Sequence, residues 1–254
     1  MENPLFFAGT SGLELPVPNK EFYPPEFRNS SRLTYYSSLF NSIEINSSFY
    51  KIPMPATVRK WAESVPEYFH FTFKLYKGIT HNKGLIFDYE EVTRFMTTIA
   101  EAGNKKGCLL IQFPPSLKII HKSQLERLLA HICKADPERS WKLAVEFRNR
   151  TWYDDDIYDL LSVYQAEIVR HDMPASSPPY LESDSSFVYF RFHGPDGSYR
   201  GSYPDDFLLD HLQSINELVL DGKMVYVYFN NTVGGAVHNL IRLNEYWNSI
   251  RFQS

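Results

Sequence analysis

Cysteine is nearly absent: Cys108 and Cys133 are the only two in 254 residues. A disulfide framework and a cysteine-rich zinc site are both excluded, and each thiol is expected to be a packing residue. No run approaches the ~20 apolar residues that span a bilayer. Met1-Glu2-Asn3-Pro4 leads into an apolar run without the architecture of a secretory signal. The expectation is a cytoplasmic protein with no membrane partner. Glycine-rich phosphate loops, dinucleotide fingerprints, internal repeats and low-complexity stretches are missing too. The sequence therefore requires no cofactor and identifies none. Charge of one sign does not dominate either. A formal net charge of −4 leaves no footprint for non-specific attachment to nucleic acid or anionic lipid.

What remains is an apolar, aromatic-rich chain. Hydrophobic residues make up 43% and charged ones 22%, a balance that supports a large core and argues against disorder. Eight short apolar runs recur at 5–9, 42–46, 69–74, 108–113, 143–148, 166–170, 187–193 and 224–230. Their length and their β-branched or aromatic content read as strands. Segments of helical character separate them at 32–40, 56–64, 89–101, 123–134, 155–164, 206–220 and 235–246. Alternating strand and helix calls for a parallel sheet with helical crossovers, and eight strands in a chain this long match a (β/α)8 TIM barrel. We expect an α/β fold, a single TIM-barrel domain over residues 1–254. One connection departs from the rhythm. Met173-Pro174 and Pro178-Pro179 leave no room for a crossover helix between the sixth and seventh strands, so a short or irregular connection is expected there.

Splitting each run by alternate residues separates an apolar face from a polar one. In the third strand Phe69, Phe71 and Phe73 oppose His70, Thr72 and Lys74; in the fifth, Leu143, Val145 and Phe147 oppose Ala144, Glu146 and Arg148. Ser42, Glu44 and Asn46 share the polar side of the second strand. Gln112 lies on that of the fourth, and Tyr189, Arg191, His193 and Asn230 on those of the last two. The apolar faces should meet the helices. The polar ones gather toward the carboxyl ends of the strands, where TIM-barrel enzymes keep their active sites. Mutual neutralisation, Glu44 with Lys74 and Glu146 with Arg148, is the plainer explanation. It is incomplete, because buried ion pairs seldom outdo hydrophobic packing and need every hydrogen bond satisfied. So many polar groups at one rim point to a ligand.

Several stretches make the pattern recognisable. Gly9-Thr10-Ser11-Gly12, Phe22-Tyr23-Pro24, Glu44-Ile45-Asn46-Ser47-Ser48-Phe49-Tyr50, Ile79-Thr80-His81 and Gln112-Phe113-Pro114-Pro115-Ser116 lie in the first half. Val145-Glu146-Phe147-Arg148 with Trp152, Asp172, Arg191-Phe192-His193-Gly194 and Tyr228-Phe229-Asn230-Asn231 follow. Together they resemble the YecE-like family, the domain of unknown function 72. That resemblance implies a TIM barrel from the first strand to the last, and no established reaction. Family members usually carry Trp directly after the Gly-Thr-Ser-Gly stretch. Here Leu13 follows, then Glu14-Leu15-Pro16-Val17-Pro18, so the first loop is expected to shape the pocket differently.

The reaction must then be argued from the residues. Lys74, Arg148 and Arg191, with donors from Asn46, Gln112 and Asn230, suit a small anion, since guanidinium forks bind carboxylate and phosphate bidentately. Glu146 and His193 are the candidates for proton transfer. Glu44 is either a second carboxylate in an acid–base pair or an orienting group for Lys74. Tyr50, His81, Trp152 and Asp172 complete the candidate substrate-binding set. Phe49, Tyr189, Tyr199 and Tyr203 are further candidates for a stacking wall, Tyr199-Arg200-Gly201 for a lid, and the Gly234-Gly235 amides for a phosphate. Lys74 is expected to clamp an anion rather than form a Schiff base. Glu44, Glu146, Asp172, His81 and His193 could ligate a metal, but three cations among them would repel it, so no metal site is assigned. The leading expectation is an enzyme, a hydrolase or isomerase, acting on a small phosphorylated or carboxylated metabolite. A nucleic-acid-binding or processing protein using the same cations and aromatics comes second. A non-catalytic sensor of an anionic metabolite comes third. Nothing in the sequence speaks to oligomeric state.

Overall fold

Strand and helix alternate through the computed structural model, which describes residues 5–179 and 184–251. The strands are β1 (Phe6–Thr10), β2 (Ser42–Ile45), β3 (His70–Lys74), β4 (Lys106–Gln112), β5 (Lys142–Glu146), β6 (Ala166–Ile168), β7 (Arg170–His171), β8 (Phe187–Phe192) and β9 (Met224–Phe229). The helices are α1 (Arg32–Leu39), α2 (Ser47–Tyr50), α3 (Pro55–Glu63), α4 (Lys77–Thr80), α5 (Tyr89–Ala100), α6 (Lys122–Ala135), α7 (Asp155–Val163), α8 (Asp205–Leu220) and α9 (Ala236–Arg251). Each apolar run forms a strand, and the sixth breaks at Val169 into β6 and β7. Each segment of helical character forms a helix. The single turns α2 and α4, directly after β2 and β3, go beyond the sequence reading. Helix starts follow local chemistry: the side chains of Ser31, Asp88 and Asp154 accept from first-turn amides of α1, α5 and α7. Between β7 and β8, residues 172–179 and 184–186 form turns and extended chain without a helix, as the prolines require; residues 180–183 of that connection lie outside the described residues.

Every ladder is parallel. One sheet has the order β1-β9-β8-β7, and β2 to β6 form a second in chain order. The alternation read from the sequence sorts the faces. Phe71, Phe73, Leu109, Ile111, Leu143 and Val145 join helix residues such as Phe95, Leu128 and Leu240 in the larger apolar core. The opposite faces of the two sheets meet each other. Phe7, Tyr189, Tyr226 and Tyr228 of one sheet pack with Cys108, Leu110 and Ala144 of the other. Phe7 stacks on His70 with ring centroids 3.9 Å apart, and the Tyr228 hydroxyl bonds Thr72 at 2.8 Å.

Two joints relate the sheets. At the first, residues 166–171 pair with β5 through β6 and with β8 through β7, and the Val169 amide donates to the Val145 carbonyl at 2.9 Å between them. At the second, β1 lies beside β2 without a regular ladder. Gly9 comes so near Ser42 that a Cβ would sit 2.1 Å from its carbonyl oxygen, an approach only glycine permits. Side chains supply the hydrogen bonds there. Asn41 accepts from the Ala8 amide (2.9 Å) and donates to the Phe6 carbonyl (2.8 Å). The Tyr36 hydroxyl accepts from the Thr10 amide (2.8 Å) and donates to the Ser42 carbonyl (3.1 Å). Backbone pairing resumes beyond it, where Ser11 bridges Glu44 and the Gly12 amide donates to the Glu44 carbonyl at 2.8 Å.

Tyr36→Phe removes a single oxygen and leaves a buried amide and a buried carbonyl without that partner. The expected loss is about 2 kcal/mol, a fall of roughly 4–8 °C in the unfolding midpoint for a chain of this length. A midpoint that does not move would mean that Tyr36 does not hold the joint.

Candidate functional site

Inner-facing positions at the carboxyl ends of the strands converge on Arg191 of β8, whose side chain is only 1% exposed. Its Nε reaches Glu44 Oε1 at 3.2 Å and Oε2 at 2.9 Å, and its Nη2 reaches Oε1 at 2.8 Å. Nη1 donates to Glu146 Oε2 at 3.2 Å and to His193 Nε2 at 2.7 Å, while Nη2 also donates to Ser11 Oγ at 3.1 Å. Glu44 comes from β2, Glu146 from β5 and Ser11 from the bridge after β1, so one guanidinium engages both sheets. Tyr189, two residues earlier on the same face, donates to Glu44 Oε2 at 2.5 Å, and the Ser11 hydroxyl donates to Oε1. Asn46 Nδ2 donates to Ser11 Oγ at 2.6 Å. Asn230, with its amide assigned so that the oxygen faces Arg191, accepts from Nη1 and Nη2 at 3.2 Å and donates to Ser11 at 3.0 Å.

Arg148 extends the network. Its Nε pairs with Glu146 Oε1, its Nη2 meets His193 Nε2 at 2.8 Å, and its Nη1 reaches Met173 Sδ at 2.8 Å. His193 Nε2 therefore faces two guanidinium donors and must accept, which puts the ring proton on Nδ1. Nδ1 donates to Asp172 Oδ1 at 3.2 Å, and that oxygen also accepts from the His193 amide at 2.8 Å. The Tyr203 hydroxyl holds the other Asp172 oxygen. Burial, reinforced by Arg191 and Arg148, outweighs Asp172 and Glu146 and pulls the imidazole down to about 4, so it is neutral near pH 7. Burial alone would raise both buried glutamates. The Arg191 guanidinium overrides it at Glu44, and Arg191 with Arg148 hold Glu146 well below the usual carboxylate range. Both glutamates are thus ionised, and the His193 lone pair is already taken.

Beside this network opens a cavity of about 460 Å³ whose lining includes Asn46, Lys74, Arg191, Tyr199, Arg200 and Asn230. Lys74 ends β3, with its ammonium 4.2 Å above the Phe49 ring. Among the described residues its ammonium has no hydrogen bond or ion pair. Desolvation and the Arg191 and Arg148 charges outweigh Glu146 and Glu44 and draw its pKa down to about 8. A larger cavity, about 920 Å³, lies on the helix side of β6 to β8 and includes neither Lys74 nor Arg191.

The remaining candidates divide. Tyr50 lines the smaller cavity from α2. His81 follows α4 at the rim, with Nδ1 2.8 Å from Thr80 Oγ1 and its ring edge-on to Phe49 at 4.9 Å. Partial desolvation, then Lys74 and Arg148, lower it to about 4. Gln112 is almost covered and spends Nε2 on the Phe113 carbonyl at 2.7 Å. Trp152 corrects the sequence reading. It is fully buried on the helix side, stacked on Phe147 at 4.8 Å with Nε1 donating to the Leu117 carbonyl at 2.8 Å, and cannot touch a ligand. Tyr189 and Tyr203 hold carboxylates rather than form a stacking wall. Gly234 and Gly235 give their amides to the carbonyls of Asn231 (2.9 Å) and Gly201 (2.8 Å), which leaves no phosphate nest. Glu44 orients Arg191, not Lys74. Ser11 was the residue without an expected role; it continues the inner alternation Phe7-Gly9-Ser11 one step beyond the apolar run. Among the described residues no three His, Cys, Asp or Glu groups converge as metal ligands, and no helix is long and apolar enough to cross a membrane.

Stability should fall as pH drops from about 6.5 toward 4. Over that window the unfolded chain protonates His193 while the folded one, with a pKa near 4, does not. The linkage amounts to on the order of 3 kcal/mol. The depressed carboxyls of Glu44 and Glu146 carry the loss to lower pH, since their contribution is complete above the unfolded value and fades as the folded groups protonate. His193→Gln keeps an acceptor for the two arginines and removes the titrating site. Its unfolding midpoint should vary less between pH 6.5 and 4 than that of the parent protein; parallel curves would contradict this assignment.

Residues 7–252 match the family model described as "Protein of unknown function DUF72". UPF0759 protein YunF of Bacillus subtilis (strain 168) is 34% identical over 245 residues, covering 84% of this chain and 85% of YunF. UPF0759 protein YecE of Escherichia coli (strain K12) is 32% identical over 82 residues, 32% of this chain and 30% of YecE. A solved structure of a DUF72 family protein from Enterococcus faecalis V583 has a TM-score of 0.76 at 21% identity, covering 96% of this chain and 95% of that one. Another from Thermotoga maritima MSB8 has a TM-score of 0.74 at 24% identity, covering 96% and 99%. The structural likeness carries the fold alone. With the family model spanning almost the whole sequence and YunF aligned over most of both chains, the chain belongs to the DUF72 family.

Proposed function

We propose that the two sheets close into one (β/α)8 barrel, a single domain over residues 1–254, and that the protein is an enzyme acting on a small carboxylated or phosphorylated metabolite in the cavity beside Lys74. The shared strand segment 166–171 and the side-chain joint between β1 and β2 support closure. One observation carries the choice of ligand. Arg191 and Arg148 are already answered by Glu44 and Glu146, whereas the Lys74 ammonium faces the cavity over an aromatic ring and, among the described residues, without an ion pair. A partly buried cation without a counter-ion favours an incoming anion. Arg200 adds a second charge at the wall, and Asn46 and Asn230 stand at the cavity beside Arg191.

In this reading Glu44, Glu146, Asp172 and His193 set the positions of the two arginines. Proton exchange falls to Lys74, whose pKa near 8 lets it give or take a proton close to neutral pH. A cavity of about 460 Å³ suits a small molecule better than a polymer.

A thermal-shift panel of sugar phosphates, nucleotides and carboxylic acids tests the proposal. A ligand at 100 times its Kd stabilises by about 2.7 kcal/mol, roughly 5–11 °C here. Lys74→Met should abolish the shift with folding intact, and Arg200→Ala should weaken it. A shift that survives Lys74→Met puts the anion elsewhere, and a panel without any shift removes the small-anion reading.

A further inference from the structure

We propose that Lys74 forms an imine with its ligand, so that the metabolite is a carbonyl-bearing anion: an α-keto acid, or an aldehyde or ketone carrying phosphate. The inference rests on the small-anion reading above and adds a covalent step to it. Lys74 ends a strand at the edge of an open cavity, and among the described residues no carboxylate lies against its ammonium. The groups acting on it come from every side: Glu44 on β2, Glu146 on β5, Arg148 just after β5, Arg191 on β8 and His81 after α4. Arg200, from the loop after β8, shares the cavity wall. The carboxylates among them bind guanidiniums, so Lys74 keeps company with cations while its own counter-charge is spent. With a pKa of about 8, roughly a quarter of Lys74 is free amine at pH 7.5, against about a thousandth of an ordinary lysine. A desolvated lysine beside other cations is an activated nucleophile.

The step balances without an added reagent. The Nζ lone pair bonds to the carbonyl carbon as the C=O π pair moves to oxygen. That oxygen takes a proton released from nitrogen, which gives a carbinolamine. The C–O bond then breaks, the hydroxyl leaves as water with a proton from solvent, and the nitrogen lone pair closes the C=N bond. In sum an ammonium and a carbonyl become an iminium and water. The positive charge stays at Nζ, so the anion keeps its cation while Arg200, Asn46 and Asn230 remain available to its carboxylate or phosphate. An iminium acidifies the neighbouring C–H bond, which isomerisation needs and simple hydrolysis does not.

The full chain is incubated with glyoxylate, pyruvate or dihydroxyacetone phosphate and sodium cyanoborohydride, then read by intact mass and peptide mapping. The expected result is one reduced adduct on Lys74, formed at least about tenfold faster than on any other lysine. Its rate should rise with pH around a midpoint near 8 rather than above about 10, the ordinary lysine range. Lys74→Arg should lose that adduct; should the variant fail to fold, the site-resolved pH profile of the parent protein decides alone. Whether glyoxylate and pyruvate or the phosphate ester reacts separates the two anion types. Lactate and glycerol 3-phosphate, which have no carbonyl to attack, report the anion site by thermal shift. Their binding without a Lys74 adduct overturns the imine and leaves the small-anion reading standing; neither binding nor adduct overturns both. Labelling spread evenly over the lysines also overturns the imine.

Discussion

A guanidinium removed from water has to be matched charge for charge and hydrogen bond for hydrogen bond, and Arg191 imposes that requirement on both sheets. One carboxylate must arrive from β2 and another from β5, while β8 itself must place Tyr189, Arg191 and His193 at alternate positions. Displacing either sheet by one residue would turn a carboxylate toward the helix side and leave the charge unanswered. Networks of this kind seldom add stability over well-packed hydrophobic residues. Their effect is positional: the facing sheets are held in one register at the end where the cavity opens.

The same pairing shapes the electrostatics of the cavity. Because Glu44 and Glu146 spend themselves on Arg191 and Arg148, no carboxylate among the described residues remains in contact with the Lys74 ammonium. Because His193 is buried and accepts from both arginines, it stays neutral near pH 7 and adds no charge of its own. Proton occupancy at Lys74 therefore adjusts the charge at a cavity wall that Arg191 and Arg200 also line. The ion pairs hold the shape of the site, and the Lys74 amine, unpaired among the described residues, is left facing the cavity.

Much of this was legible in the sequence. The positions of the eight runs and of the longer helices followed from run length and periodicity, and the inner faces of the second to fifth runs and of the last two followed from alternation. Those rules brought Glu44, Glu146, Arg148, Arg191 and His193 to one place without any tertiary information. Partner choice was not legible. Glu44 and Lys74 lie on adjacent strands and invite pairing, yet Arg191 reaches across from the other sheet with several donors and takes the carboxylate. Trp152 was misplaced because a short motif carries no depth: the turn at Arg150–Trp152 swings its indole into the helix-side core. The break at Val169 was equally hidden, since a strand that changes partners midway looks like any other short run.

The joint between β1 and β2 differs in kind from the rest of the sheet structure. A backbone ladder belongs to no particular side chain, and almost any substitution leaves its donors and acceptors in place. Here the stitches are an amide at Asn41 and a phenol at Tyr36, over a glycine that tolerates no side chain. Three codons thus govern a contact that a regular ladder writes into the polymer itself, and genetic drift at those codons can edit the wiring between strands.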